Sequence, residues 1–220
     1  MGEFFAELWK EWPALVSGLK WTVVLTGTAT ATGLLGGMGL LYLLVHPSRA
    51  VRAAANAYVS FFIGTPLLAL LFLAYYGLPT AGIDLSPFAA SALGFGLNVS
   101  AYNARYLLGG YKAIAAKELE AAAALGFGRR RIFLHLAAPQ AIRHALPGLV
   151  TQAINNLKDS SIAFLIQFDG FLGFVQNFTA QNFYFFRGYA FAAAVYLGMV
   201  ALLALGARRL RRRLEIPGFS

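Results

Sequence analysis

The chain has 220 residues, 59% of them hydrophobic and only 12% charged, with a formal charge of +9 from 18 Lys+Arg against 9 Asp+Glu. A soluble domain averages about 25% charged residues, so this composition excludes an ordinary soluble globule and describes a membrane chain whose charges mark where it leaves the bilayer. Cysteine is absent, which excludes a disulfide framework, a thiolate metal site and a cysteine nucleophile.

The N-terminal segment 1–13 carries Glu3, Glu7 and Glu11 and no basic leader, so it does not read as a cleavable signal peptide. Phe4, Phe5, Leu8 and Trp12 are spaced for a short interfacial helix lying on the membrane; a frayed polar tail is the other reading. Five stretches, 15–45, 53–77, 87–109, 145–168 and 188–207, are apolar over the roughly 20 residues that a spanning helix needs. The expected fold is therefore all-α integral membrane with five transmembrane helices, the whole of 1–220 acting as a single domain. The first span contains Gly33-Leu34-Leu35-Gly36-Gly37, a spacing that lets helices approach closely, either within one subunit or between two. In the second, Gly64-Thr65-Pro66 interrupts the helix because Pro66 cannot donate a main-chain hydrogen bond. Such a break either presents backbone groups to a solute or serves packing alone.

Arg49 and Arg52, then Arg105 to Arg143, then Arg208 to Arg213 hold most of the basic residues. The positive-inside rule thus puts the N-terminus outside and the C-terminus, with a basic tail at 208–220, in the cytoplasm. The same rule explains the net charge, and no nucleic-acid partner is expected.

Between the third and fourth spans, 110–139 forms a basic cytoplasmic loop. Residues 112–125 are almost all strong helix formers, so one helix is expected there, with Gly126 as its left-handed stop. A second helix is expected from Arg129 to Leu136, with Pro139 at its end or kink. Alanines 121–124 form a smooth face, and Phe127 and Phe133 are candidate anchors for a partner protein. A hairpin whose Arg129, Arg130 and Arg131 hold anionic lipid headgroups is the alternative. The fourth span places Gln152, Asn155, Asn156 and Asp159 on one helical face, with Lys158 beside them. Ionisable groups at bilayer depth face a partner or a watery cavity, so these residues either line a path or fix helix packing. His46, His135 and His144 are not spaced as metal ligands, and no catalytic arrangement is visible.

Several of these segments together resemble a known family. Glu120-Ala121-Ala122, Gly126 and the downstream Pro139 resemble the EAA loop of ATP-binding cassette importer permeases. Gly64-Thr65-Pro66-Leu67-Leu68, Tyr75-Tyr76-Gly77-Leu78-Pro79, Pro139-Gln140-Ala141 and Leu157-Lys158-Asp159-Ser160-Ser161 are similar to segments of its polar amino acid uptake branch, in the same order. The chain departs from that pattern at Ile63, where an Arg is usual, at Arg105, where a Glu is usual, and at Lys117-Glu118, where Gly-Gln is usual. The first two changes point to a different path lining or to a distinct partner permease.

The resemblance implies a permease subunit in the bacterial cytoplasmic (inner) membrane, pairing with a second permease, identical or homologous, so that the path lies at the dimer interface. Its other implied partners are an ATPase subunit dimer, an extracytoplasmic solute-binding protein, a polar amino acid and membrane lipid. Glu120, Ala121, Ala122, Leu125, Gly126, Phe127 and Arg129 are the expected ATPase-coupling residues. Gly64, Thr65, Pro66, Gln152, Asn155, Asn156, Lys158, Asp159, Ser160 and Ser161 are the expected path residues. An amino acid carries an ammonium for Asp159 and a carboxylate for Lys158, Asn155, Ser160 and Ser161. The chain has no GxxxxGK[ST] phosphate loop, so it is not expected to be an enzyme or to hold a cofactor; ATP and Mg belong on the partner. An importer for another zwitterion such as a betaine, and an ATP-independent channel or scaffold, are the alternatives.

Overall fold

The computed structural model describes residues 2–214, with side chains as far as residue 209. The end of the basic tail expected at 208–220 lies outside the described residues. Among those residues every regular element is helical.

Helix α1 covers Gly2–Lys10 and α2 covers Trp12–Leu44. Pro13 stands in the first turn of α2, where a missing N–H leaves no helical bond unmade, and the helix stops shortly before Pro47. The stretch expected as the second span is two helices, α3 (Arg49–Gly64) and α4 (Leu67–Phe72). A π-helical turn at Leu73–Gly77 and a 3₁₀ turn at Leu78–Ala81 extend α4, and the chain bends by 100° at the break. Helix α5 (Pro87–Lys112) covers the third expected span and overruns it.

The single helix expected over 112–125 is divided. α5 ends at Lys112, and α6 begins only at Ala116, running to Ala124. The intervening turn buries Ile114 among Leu41, Leu107 and Phe133, and this packing overrides the high helix propensity of the segment. Helix α7 (Arg129–Ile132) continues through a π-helical turn at Phe133–Ala137 into α8 (Ala138–Asp159). Pro139 therefore stands in the first turn of α8 instead of ending a helix. A 3₁₀ segment, Ser160–Ile166, follows α8, and then come α9 (Phe171–Asn182) and α10 (Phe185–Leu214). Helix α2 and the Phe185–Arg209 part of α10 are long and apolar enough to cross a membrane, and α3 with α4 counts as a third if it is one broken span.

Two compact units divide the chain. One comprises 2–29, 67–95 and 153–207. Phe4, Leu8, Leu15, Phe171, Val175, Phe178 and Ala192 form its core. The Phe4 ring meets Phe178 and Tyr184 edge-on at 5.8 and 5.7 Å. Phe4 and Leu8 thus face protein, whereas Phe5, Trp9 and Trp12 are exposed, so the four apolar residues expected on one face of α1 and its continuation are split. Buried Thr22 accepts the Phe171 N–H at 2.9 Å.

The other unit holds 30–66, 96–152 and 208–214. Here the glycines of α2 admit α5. A Cβ on Gly36 would come within 2.8 Å of Ser100 Cβ, and one on Gly37 within 2.8 Å of Asn103 Cβ. The close-approach motif is thus used inside the chain.

Candidate functional site

The expected coupling residues lie on α6, the turn after it and, for Arg129, the start of α7. The turn is a Schellman motif: Phe127 N–H donates to the Ala122 carbonyl at 3.2 Å and Gly126 N–H to the Ala123 carbonyl at 3.0 Å. Gly126 takes φ +84°, as the sequence predicts. A β-carbon there costs about 1–2 kcal/mol on conformation alone. The turn holds out apolar surface, with Leu125 78% and Phe127 49% exposed. Glu120 and Ala121 are also exposed. Beside them runs a groove of about 460 Å³ lined by Ala122, Phe127, Arg131, Ile132, His135 and Leu136.

Two polar contacts fasten this segment to its own unit. Gln140 Nε2 donates to Glu118 Oε2 at 2.9 Å. Glu118, one of the departures from the family pattern, therefore ties α6 to the first turn of α8. Arg129 donates to the Tyr42 carbonyl at 2.8 Å. Arg129, expected among the ATPase-coupling residues, stands on α7 with its guanidinium toward α2, while Arg130 and Arg131 are exposed.

The polar face of α8 is graded. Gln152, Asn156 and Ser160 are buried, Asn155, Asp159 and Ser161 are partly buried, and Lys158 is exposed. Ser160 Oγ donates to the Leu157 carbonyl at 2.6 Å, at the point where the α-helix tightens to 3₁₀ geometry. Gly64, Thr65, Pro66 and Gln152 belong to one unit and Asn155 to Ser161 to the other. Just beyond, Gln167 adopts a left-handed φ of +62°. With Asp169, Gln176 and Asn177 it lines an open cavity of about 430 Å³, a feature that sequence reasoning missed.

At the α3–α4 break, Thr65 is extended at φ −93° and ψ 128°. Pro66 has no N–H for the Phe62 carbonyl, and Asn98 supplies the donor instead, its Nδ2 lying 2.8 Å from that oxygen. Asn98 was also missed, although a buried amide in an apolar helix is a readable signal for a broken partner helix.

Helices alone among the described residues, two of them long and apolar enough to cross a membrane, define an integral membrane protein, and comparison with known proteins narrows the class. Residues 13–216 match the model of the family described as binding-protein-dependent transport system inner membrane component, and the chain belongs to that family. It is 30% identical to an inferred glutamine transport system permease protein, GlnP, of Rickettsia felis, over 98% of this chain and 100% of that one. Its fold matches a crystal structure of an amino acid ABC transporter with histidines at a TM-score of 0.84 and 30% identity, covering 95% of this chain and 98% of the other. A chain of the MetNI methionine ABC transporter, 17% identical, shares the fold at a TM-score of 0.78.

Proposed function

We propose that this chain is the permease subunit of an ATP-driven importer of polar amino acids in the bacterial inner membrane, with 1–220 acting as one permease domain. The amino acid class follows from what the similar proteins are named for. The observation that carries the mechanism is the exposed α6–Gly126–Phe127 turn with its apolar groove. An apolar anchor beside a groove fits a protein partner better than a headgroup layer, which recognises charge. The partner is an ATPase dimer that holds the nucleotide and Mg and does the hydrolysis.

In this reading the chain crosses the membrane five times, on α2, α3–α4, α5, α8 with its 3₁₀ extension, and α10. The N-terminus is outside, and α6 is the cytoplasmic coupling helix. A second permease completes the path. A solute-binding protein delivers the solute near 78–86 and 168–187, a region that includes the 430 Å³ cavity. Asp159 receives the ammonium of the solute, and Lys158, Asn155, Ser160 and Ser161 receive its carboxylate.

The test is purification of the complex from its native membrane, with ATP hydrolysis measured before and after substitution of Gly126. Co-purification of an ATPase is expected, and Gly126→Val should abolish transport-stimulated hydrolysis while the chain still inserts. Recovery of the chain alone, or full stimulation in the Gly126→Val variant, would overturn the reading.

A further inference from the structure

Arg129 differs from the basic residues around it. It is half-buried, its guanidinium carbon lies 4.0 Å from the centroid of the Tyr42 ring, and Nη2 donates to the Tyr42 carbonyl at 2.8 Å. The Tyr42 ring in turn meets the buried Phe133 edge-on at 4.8 Å.

The acceptor explains why an arginine is needed. A helix leaves its last carbonyls without helical partners. At the end of α2, Val45 N–H takes the Leu41 carbonyl and His46 N–H takes that of Leu43. The Tyr42 carbonyl between them receives Arg129, a residue 87 positions further along the chain. A cation is favoured at this negative end of the helix dipole. Just past the helix end, Arg52 Nη1 donates to the His46 carbonyl at 2.6 Å and to that of Pro47 at 2.7 Å. The first helical residue after the coupling turn therefore caps the C-terminal end of α2.

We propose that Arg129, Tyr42 and Phe133 form a strut that carries displacement of the coupling turn to the C-terminal end of α2. Arg129 is then a positioning residue and touches neither the ATPase nor a headgroup. The proposal rests on the coupling reading above. A planar guanidinium can stack on the ring and donate to the carbonyl at once, whereas the point charge of lysine cannot do both.

The experiment uses the whole complex, with its ATPase and binding protein, in proteoliposomes and reads solute moved per ATP hydrolysed. Arg129→Lys and Tyr42→Leu should each lower that ratio at least fivefold. Because the chain lacks cysteine, Tyr42→Cys combined with Arg129→Cys gives the only cysteine pair in this subunit. A short bis-maleimide joins the pair by adding each thiol across one maleimide double bond, with the partner subunits used in cysteine-free form. Without the linker this variant should behave like Arg129→Lys, and with it at least half of the native ratio should return. A purely structural role for Arg129 does not predict rescue by a tether. A native ratio in both single variants, or no recovery on cross-linking, overturns the strut. If the single variants fail to assemble, the cross-linked protein decides alone, recovery supporting the strut and its absence overturning it. Gly126→Val serves as the control, since full stimulation there sinks the coupling reading and not merely the strut.

Discussion

At the residue scale, Asn98 shows how one side chain holds a broken helix in apolar surroundings. Pro66 removes a hydrogen bond that Phe62 would otherwise receive. The Asn98 amide replaces it at 2.8 Å from a position that is 7% exposed. Leucine fits a similar volume but donates nothing, so Asn98→Leu should destabilise the protein by about 1–3 kcal/mol, the usual penalty for an orphaned buried acceptor. Thermal denaturation in detergent would show this as a lowered midpoint, with Asn98→Gln recovering part of the loss. An unchanged midpoint in Asn98→Leu would mean that the Phe62 carbonyl is satisfied by another group.

At the scale of elements, the packing of α2 on α5 depends on which glycine is changed. Gly37 meets Asn103, whereas a Cβ on Gly39 would have nothing within 4 Å. Gly37→Leu should therefore cut the yield of folded protein sharply, since overpacking costs about 1–3 kcal/mol even where side chains can yield, and here a main-chain atom of Ala104 stands 3.2 Å from the added carbon. Gly39→Leu should be tolerated. Equal loss in both, read by size-exclusion of detergent-solubilised protein, would refute this account. Which elements could be read in advance follows the range of the interactions involved. The α3–α4 break and the Gly126 stop were legible because proline and glycine act on their own backbone. The division between α5 and α6 was not, because the alanine-rich segment favours helix locally and only the burial of Ile114 against Leu41 and Phe133 breaks it. The role of Arg129 was equally hidden: within Arg129-Arg130-Arg131 the three residues are chemically alike, and only the distant Tyr42 distinguishes one of them.

For the molecule as a whole, the decisive question is what the charges on α8 serve. Lys158 and Asp159 are adjacent on α8, where neighbouring side chains point about 100° apart. Neither forms an ion pair among the described residues. Ionisable groups at bilayer depth cost a few kcal/mol each and persist only where a partner or a water-filled path receives them. In the proposed path, one charge of each sign suits a solute with two opposite charges, which is the chemistry of an amino acid. Asp159→Asn keeps the shape and removes only the charge. It should leave co-purification of the ATPase at its native level and reduce uptake tenfold or more, a loss of about 1.4 kcal/mol or more in stabilisation of the moving solute. Lys158→Met should impair uptake in the same way and also leave assembly intact. Loss of the assembled complex with either variant would place these charges in subunit packing and remove them from the path.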